Sequence, residues 1–422
     1  MSQEEISGGI TENKPEKFFT KPLIVIFITM FIDLIGFGVA IPVLPDYAKS
    51  QFGASPFTIG WLIAMYSIMQ FVSTPFLGQL SDKYGRRPIL LVSLLGTSVA
   101  ALITGLATTL PLLFFGRIFD GITGGNISTA QAYIADVTSK ENRAKGMGLI
   151  GAAFGLGFVF GPAIGGILSK VSPHAPFFFV SALAFANATL LYFILPESIK
   201  KGAVVTAEFR KHRLAELMDS LKNAQFGTLT AIYFFLVTAF SIMNFAFVLY
   251  TKERFAYAPE QNGYIFAFIG VIAVIFQGGL VGRLADRFGE NLLTVTGCLV
   301  MAAGLFSLPF IFPQAGGLGA LLVVMAVMAM GNSMASTAVT SLVSKNSHDH
   351  EQGKSLGVLQ SGASLARAIG PALGGVLLDN AINQVDDFTV KRTFWTASAV
   401  MLVAMLIAFF SRRLHREKSI DE

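Results

Sequence analysis

The chain has 422 residues, 53% of them hydrophobic and 14% charged, with a formal net charge of +5 and a mean hydropathy of +0.63. Soluble domains carry roughly 25% charged residues, so this composition excludes a water-soluble globular protein and makes lipid the solvent. A single cysteine, Cys298, inside an apolar stretch excludes a disulfide framework and a thiol metal cluster.

Residues 1–21 are polar and lack the basic region and short apolar core of a signal peptide, so a cytosolic tail is expected there. Twelve apolar stretches follow, each near the ~20 residues that a spanning helix needs. They fall near 22–45, 57–80, 88–108, 110–136, 145–169, 175–195, 226–250, 260–284, 291–312, 317–343, 353–378 and 392–411. The reading is an all-α integral membrane protein with 12 transmembrane helices. Six spans form an N-terminal bundle (22–195) and six a C-terminal bundle (226–411), joined by a polar linker (196–225) and followed by a second tail (412–422). In the linker, Leu214, Leu217, Met218 and Leu221 sit at i, i+3, i+4 and i+7, the pattern of an amphipathic helix on the membrane surface.

An even number of spans puts both termini on one side. Loops on that side hold 23 Lys and Arg against 6 on the other, so both termini are expected in the cytoplasm. Topology therefore accounts for the positive charge, and no nucleic-acid partner is implied.

From Pro22 to Leu44 the only ionisable side chain is Asp33, in the stretch FIDLIGFGVAIPVLP. Insertion scales put an acid near a helix centre at roughly 2.5–3.5 kcal/mol, and intramembrane acids are functional by default. At 1.5 Å per residue Asp33 lies ~16 Å into its helix, while Arg117 and Asp120 lie ~10 and ~13 Å into the fourth span from its other end. These depths fit one polar cluster that exchanges a proton for cargo. They also fit a fixed structural ion pair of Arg117 with Asp33 or Asp120. Arg367, in the eleventh span, either snorkels or faces the second-half cavity.

The sequence repeats itself. GQLSDKYGRR at 78–87 returns as GRLADRFGEN at 282–291, and GPAIGG at 161–166 returns as GPALGG at 370–375. Both pairs fall at the same place in each half, the pattern of parallel six-helix repeats with a substrate site between them. In the first loop, Gly78 is expected to let helices 2 and 11 approach. Asp82 is expected to serve a helix N-terminus or an arginine, Gly85 to relieve a tight turn, and Arg86 and Arg87 to meet the cytoplasmic face. The second copy keeps Asp286 and Gly289 but has Glu290 and Asn291 in place of the arginines, so its contacts differ. Gly151, Gly155, Gly157, Gly161, Gly165 and Gly166 form small-residue faces around Pro162, which removes a backbone donor and bends the fifth span.

These motifs resemble the major facilitator superfamily over essentially the whole chain. The 78–87 loop is similar to its signature loop, the Gly-Pro-x-x-Gly-Gly of the fifth span to the motif of its drug:proton antiporters, and GRIFDGITGG to a third motif around an intramembrane arginine. The likeness is greatest to tetracycline exporters, whose first span also carries an acid ahead of Gly-x-Gly and Pro-Val-Leu-Pro. The resemblance implies export of small amphipathic compounds against protons by alternating access, with no cofactor beyond the proton gradient. It also implies that the 78–87 loop latches the cytoplasmic side and that the fifth span seals against the eighth. Tetracycline exporters carry further acids in helices 3 and 9, where local matching puts Ala100 and Met301, so the cargo need not be a cation chelate.

Cavity-lining candidates are Phe37, Gln70, Asn126, Gln131, Asn244, Gln277, Asn332 and Gln360; each polar one serves equally as interhelical glue. Phe245 and Phe266 are weaker candidates, because the chain holds 39 Phe. The five histidines (His174, His212, His348, His350, His415) fall in loops without metal-ligand spacing, and no phosphate-binding glycine loop occurs. An enzyme and direct ATP use are therefore set aside; a metabolite carrier, a facilitator and a non-transporting sensor stay open as alternatives. Partners are expected to be cargo, protons and lipid, with the chain a monomer in a bacterial cytoplasmic membrane.

Overall fold

The structure, a computed structural model, describes residues 20–138, 143–198, 224–346, 352–382 and 385–418. The amphipathic segment around 214–221 lies outside them. All regular structure among the described residues is helical: α1 (Lys21–Phe52), α2 (Pro56–Tyr84), α3 (Arg86–Gly105), α4 (Leu110–Thr123), α5 (Asn126–Val137), α6 (Arg143–Ser169) and α7 (Ala175–Ile194). Then come α8 (Ala224–Phe255), α9 (Pro259–Ile275), a π turn (Phe276–Leu280), α10 (Val281–Phe288), α11 (Glu290–Ser307), α12 (Gly317–Lys345), α13 (Gln352–Leu378) and α14 (Asp387–Lys418). Among the described residues, eleven helical stretches are long and apolar enough to cross a membrane.

Local chemistry sets the boundaries. Pro22, which has no N–H to lose, opens α1, and Gly53 closes it at φ 61°, returning its N–H to the carbonyls of Ala48 and Lys49. Ser55 Oγ accepts the N–H of Thr58 at 3.2 Å to start α2. Gly85 (φ 105°) and Gly289 (φ 80°) form the sharp joints α2–α3 and α10–α11, a backbone region that penalises a Cβ. The expected span 110–136 is broken instead into α4 and α5 at Gly124–Gly125. The Gly124 carbonyl that the break frees accepts from Gln70 Nε2 at 2.8 Å, so the irregular backbone is satisfied inside protein, as lipid requires.

Within the first half α1 packs along α6 and α7, and α3 along α4 and α7; within the second, α8 packs along α13 and α14, and α11 along α12 and α14. Across the halves α2 meets α13 and α6 meets α9. Large apolar side chains such as Phe185, Phe193, Val323 and Phe410 stand on the outer surface, where lipid rather than water covers them.

Two anchors recur at matching places. The Tyr47 hydroxyl at the end of α1 lies 3.3 Å from the Ala107 carbonyl and 3.1 Å from His174 Nδ1. The Tyr250 hydroxyl at the end of α8 donates to the carbonyls of Leu308 (3.0 Å) and Ile311 (2.8 Å).

The halves close on each other at the end that carries Gly53 and the α8–α9 joint, called here the far end. An alanine methyl at Gly60 would lie 2.4 Å from the Pro371 carbonyl oxygen, and one at Gly263 would lie 2.4 Å from that of Pro162. Ion pairs reinforce the seam: Lys252 with Asp46 (2.5 Å), Lys49 with Glu253 (3.4 Å) and Lys170 with Glu260 (2.6 Å). The Glu260 carboxylate holds the Lys170 ammonium above its ordinary range. At the opposite, near end a methyl on Gly78, Gly148 or Gly357 would meet nothing within 4 Å.

Candidate functional site

α1, α2, α3, α4 and α7 converge on a small cavity lined by Asp33, Phe37, Tyr66, Thr97, Arg117 and Asp120, with Phe177 and Val180 of α7 closing it. Its volume of about 40 Å³ suits a few waters and not a drug-sized molecule, which needs roughly 300 Å³ or more. The three ionisable residues singled out from the sequence therefore do share a site.

Their pairing is unequal. Arg117 Nη1 donates to Asp120 Oδ2 at 2.9 Å, one turn along α4, and its guanidinium lies 4.5 Å from the centre of the Tyr66 ring. Arg117 Nε is buried without a partner. Asp33 has no ion pair among the described residues; Asn126 at the start of α5 stands beside it without reaching hydrogen-bond geometry, and both polar atoms of that amide are buried and unpartnered. So the fixed ion pair is Arg117–Asp120, and Asp33 faces the cavity as an unneutralised acid.

Tyr66 was not singled out from the sequence. It stacks on Arg117, receives Gln70 Nε2 at 3.0 Å and packs 6.0 Å from the Phe37 ring. Its position one helical turn before Gln70 was the available signal. Gln70 is glue, since its amide is shared by Tyr66 and Gly124. Gln277, in the π turn, lies 3.4 Å from Ser333 Oγ, and Asn332 Oδ1 is buried and unpartnered. Gln131 and Asn244 are half-buried on α5 and α8, and Gln360 neighbours Tyr233. Phe245 and Phe266 belong to the apolar core, not to the cavity. Ala100 and Met301 are fully buried apolar positions.

The loop motifs act within the first half. Arg86 pairs with Asp82 and reaches Asp136 at 3.2 Å, and Arg87 donates to the Tyr192 carbonyl. The N-terminus of α3 is capped by Glu197, which accepts the N–H groups of Arg86 (2.9 Å) and Arg87 (3.1 Å), rather than by Asp82. Only the fold brings Glu197 there. Gly78 is not where α2 meets α13: that approach is at Gly60, against Pro371 and Gly375, because the near ends of the halves stand apart. In the second copy Glu290 pairs with Lys345 and receives Ser341 Oγ at 3.2 Å, so its contacts do differ, while Asp286 lies near Lys345.

The glycines of α6 face two partners. Gly157, Gly161 and Gly165 pack on α1 at Leu34, Gly38 and Val39, inside their own half. The seal against α9 is made by Gly166 and the backbone of Pro162, where Gly263 crosses. No group of His, Cys, Asp and Glu among the described residues could hold a metal.

The Major Facilitator Superfamily model matches residues 26–371 and 312–422. The chain is 32% identical to a class H tetracycline resistance protein of Pasteurella multocida over 411 residues, 95% of this chain and 98% of that one. It is 30% identical to multidrug resistance protein 2 of Bacillus subtilis (strain 168), covering 90% and 93%. Its fold is that of a bacterial homologue of the human lysosomal transporter Spinster, inward-facing and unoccupied, with a TM-score of 0.76 at 14% identity over 95% and 98% of the two chains. The chain thus belongs to the Major Facilitator Superfamily, as a multi-pass membrane transporter and not an enzyme.

Proposed function

We propose that the chain exports small amphipathic compounds in exchange for protons, by alternating access of two six-helix halves. In this reading α4 and α5 together make the twelfth span, both termini are cytoplasmic, and one chain suffices. The recurrence of the Tyr47 and Tyr250 anchors, of the Gly85 and Gly289 joints and of the Gly60 and Gly263 crossings supports the parallel repeat. The kinship with tetracycline and multidrug resistance proteins supports the cargo class.

One observation carries the proton step: Asp33 is an unpaired acid on the cavity wall beside a completed Arg117–Asp120 pair. Asp120 already has its counter-ion, whereas Asp33 can take up a proton or a cargo donor without first breaking a salt bridge. In proteoliposomes with an imposed proton gradient, native protein concentrates cargo against its gradient. Asp33→Asn abolishes the proton dependence, and Asp33→Glu keeps it in part. Proton-driven accumulation that survives Asp33→Asn would falsify the assignment.

A further inference from the structure

Arg367 lies in α13 about 18 Å from Ser355 and about 16 Å from Leu378, counted along the helix. That is the middle of a ~30 Å hydrocarbon layer, too deep for its side chain to snorkel to either interface. Leu365 and Ile369, two residues to either side, are exposed on the outer surface, so Arg367 points inward. Ser364 and Gln360 share its helix face, and Arg367 Nη2 donates to Ser364 Oγ at 3.0 Å. Tyr233 of α8 and Tyr66 of α2 face it from the two halves.

All of these neighbours are neutral. Arg367 is half-buried, and no carboxylate pairs with it among the described residues, although a guanidinium keeps its charge in proteins and charges within a membrane span commonly pair with one another. Elsewhere the chain supplies a counter-charge: Arg117, the other arginine inside a span, has Asp120 at 2.9 Å.

We propose that Arg367, with Ser364, Tyr233 and Gln360, forms an anion-binding subsite between the halves, and that the cargo presents an acidic oxygen group (carboxylate, enolate or sulfonate) to it. Guanidinium and hydroxyl donors converge on such oxygens, while the Tyr66 and Phe37 rings offer surface to the apolar body of the same molecule. This assignment rests on the transport reading.

Dansylglycine and dansylglycinamide test it, since they differ only in the carboxylate. Native protein in Tris buffer of low chloride binds dansylglycine at least about tenfold tighter than the amide. Arg367→Gln removes that preference, and Arg367→Lys restores part of it. Equal binding of the two probes by native protein, or a preference that survives Arg367→Gln, overturns the subsite. Displacement of dansylglycine by millimolar chloride, without dansylglycine flux, assigns Arg367 to a resident inorganic anion and overturns the cargo role. Proteoliposomes separate the two readings. Proton-driven amide flux with no carboxylate preference leaves transport standing and the subsite refuted. Arg367-dependent binding with no flux of either probe leaves the subsite standing and transport refuted.

Discussion

Gly60→Ala is the sharpest probe of how the halves meet. The added methyl would lie 2.4 Å from the Pro371 carbonyl oxygen and 2.9 Å from Gly375 Cα, both backbone atoms of a helix in the other half. Backbone cannot swing aside as a flexible side chain can, so relief requires α2 and α13 to separate. Overpacking of this kind costs roughly 1–3 kcal/mol. Because the contact exists only with the far end closed, the cost falls on that state alone. The closed-to-open ratio therefore drops by about 5- to 150-fold. Gly263→Ala acts at a separate crossing, 2.4 Å from the Pro162 carbonyl oxygen, so the two effects add.

The assay starts from a Cys298→Ala background carrying Ala40→Cys, a position on the cavity wall. A membrane-impermeant maleimide added on the far side reaches that cysteine only when the far end opens. Gly60→Ala raises the labelling rate by the stated factor, and the double substitution raises it further, up to the ceiling of a fully open protein. Gly78→Ala is the control, since nothing lies within 4 Å of its added methyl. If folded Gly60→Ala and Gly78→Ala proteins label at the same rate, the seam is not where the far end closes.

Two further outcomes follow from the same geometry. Tyr250→Phe strands the Leu308 and Ile311 carbonyls and costs about 1–3 kcal/mol, read as a lowered Tm in detergent. Glu197→Ala uncaps α3 at a cost of about 1 kcal/mol and speeds amide exchange at Arg86 and Arg87, and unchanged exchange there would show that the cap is idle.

What could be read from the sequence depended on the range of the signal. Spans follow from runs of apolar residues, and the joints Gly85 and Gly289 follow from a local turn requirement, so both were legible. The break at Gly124–Gly125 was not, since a Gly-Gly pair is also tolerated inside a spanning helix and the partner that makes a break tolerable, Gln70, comes from another helix. The depths of Asp33, Arg117 and Asp120 were countable, but which acid takes the arginine was not: helical spacing favours i, i+3 pairs, and it decided for Asp120. Glu197 and the Gly60 seam were invisible for one reason. Their partners lie far away in sequence, and the residue types alone are ordinary.

The charges inside the spans limit how the proposed exchange can work. Asp33, Asp120, Arg117 and Arg367 are two acids and two bases, and only Arg117 and Asp120 are joined. Protonating Asp33 leaves the site one unit more positive, which strengthens the hold of Arg367 on an acidic group. A cargo with an acidic group alone would then load together with the proton, the linkage of cotransport and not of exchange. Exchange demands competition, so a cargo held at Arg367 must also present a cationic or hydrogen-bond-donating group that displaces the proton from Asp33. A proton antiporter built on these two residues therefore selects molecules with opposite polar ends on one apolar body, and a purely acidic amphiphile would bind without driving protons the other way.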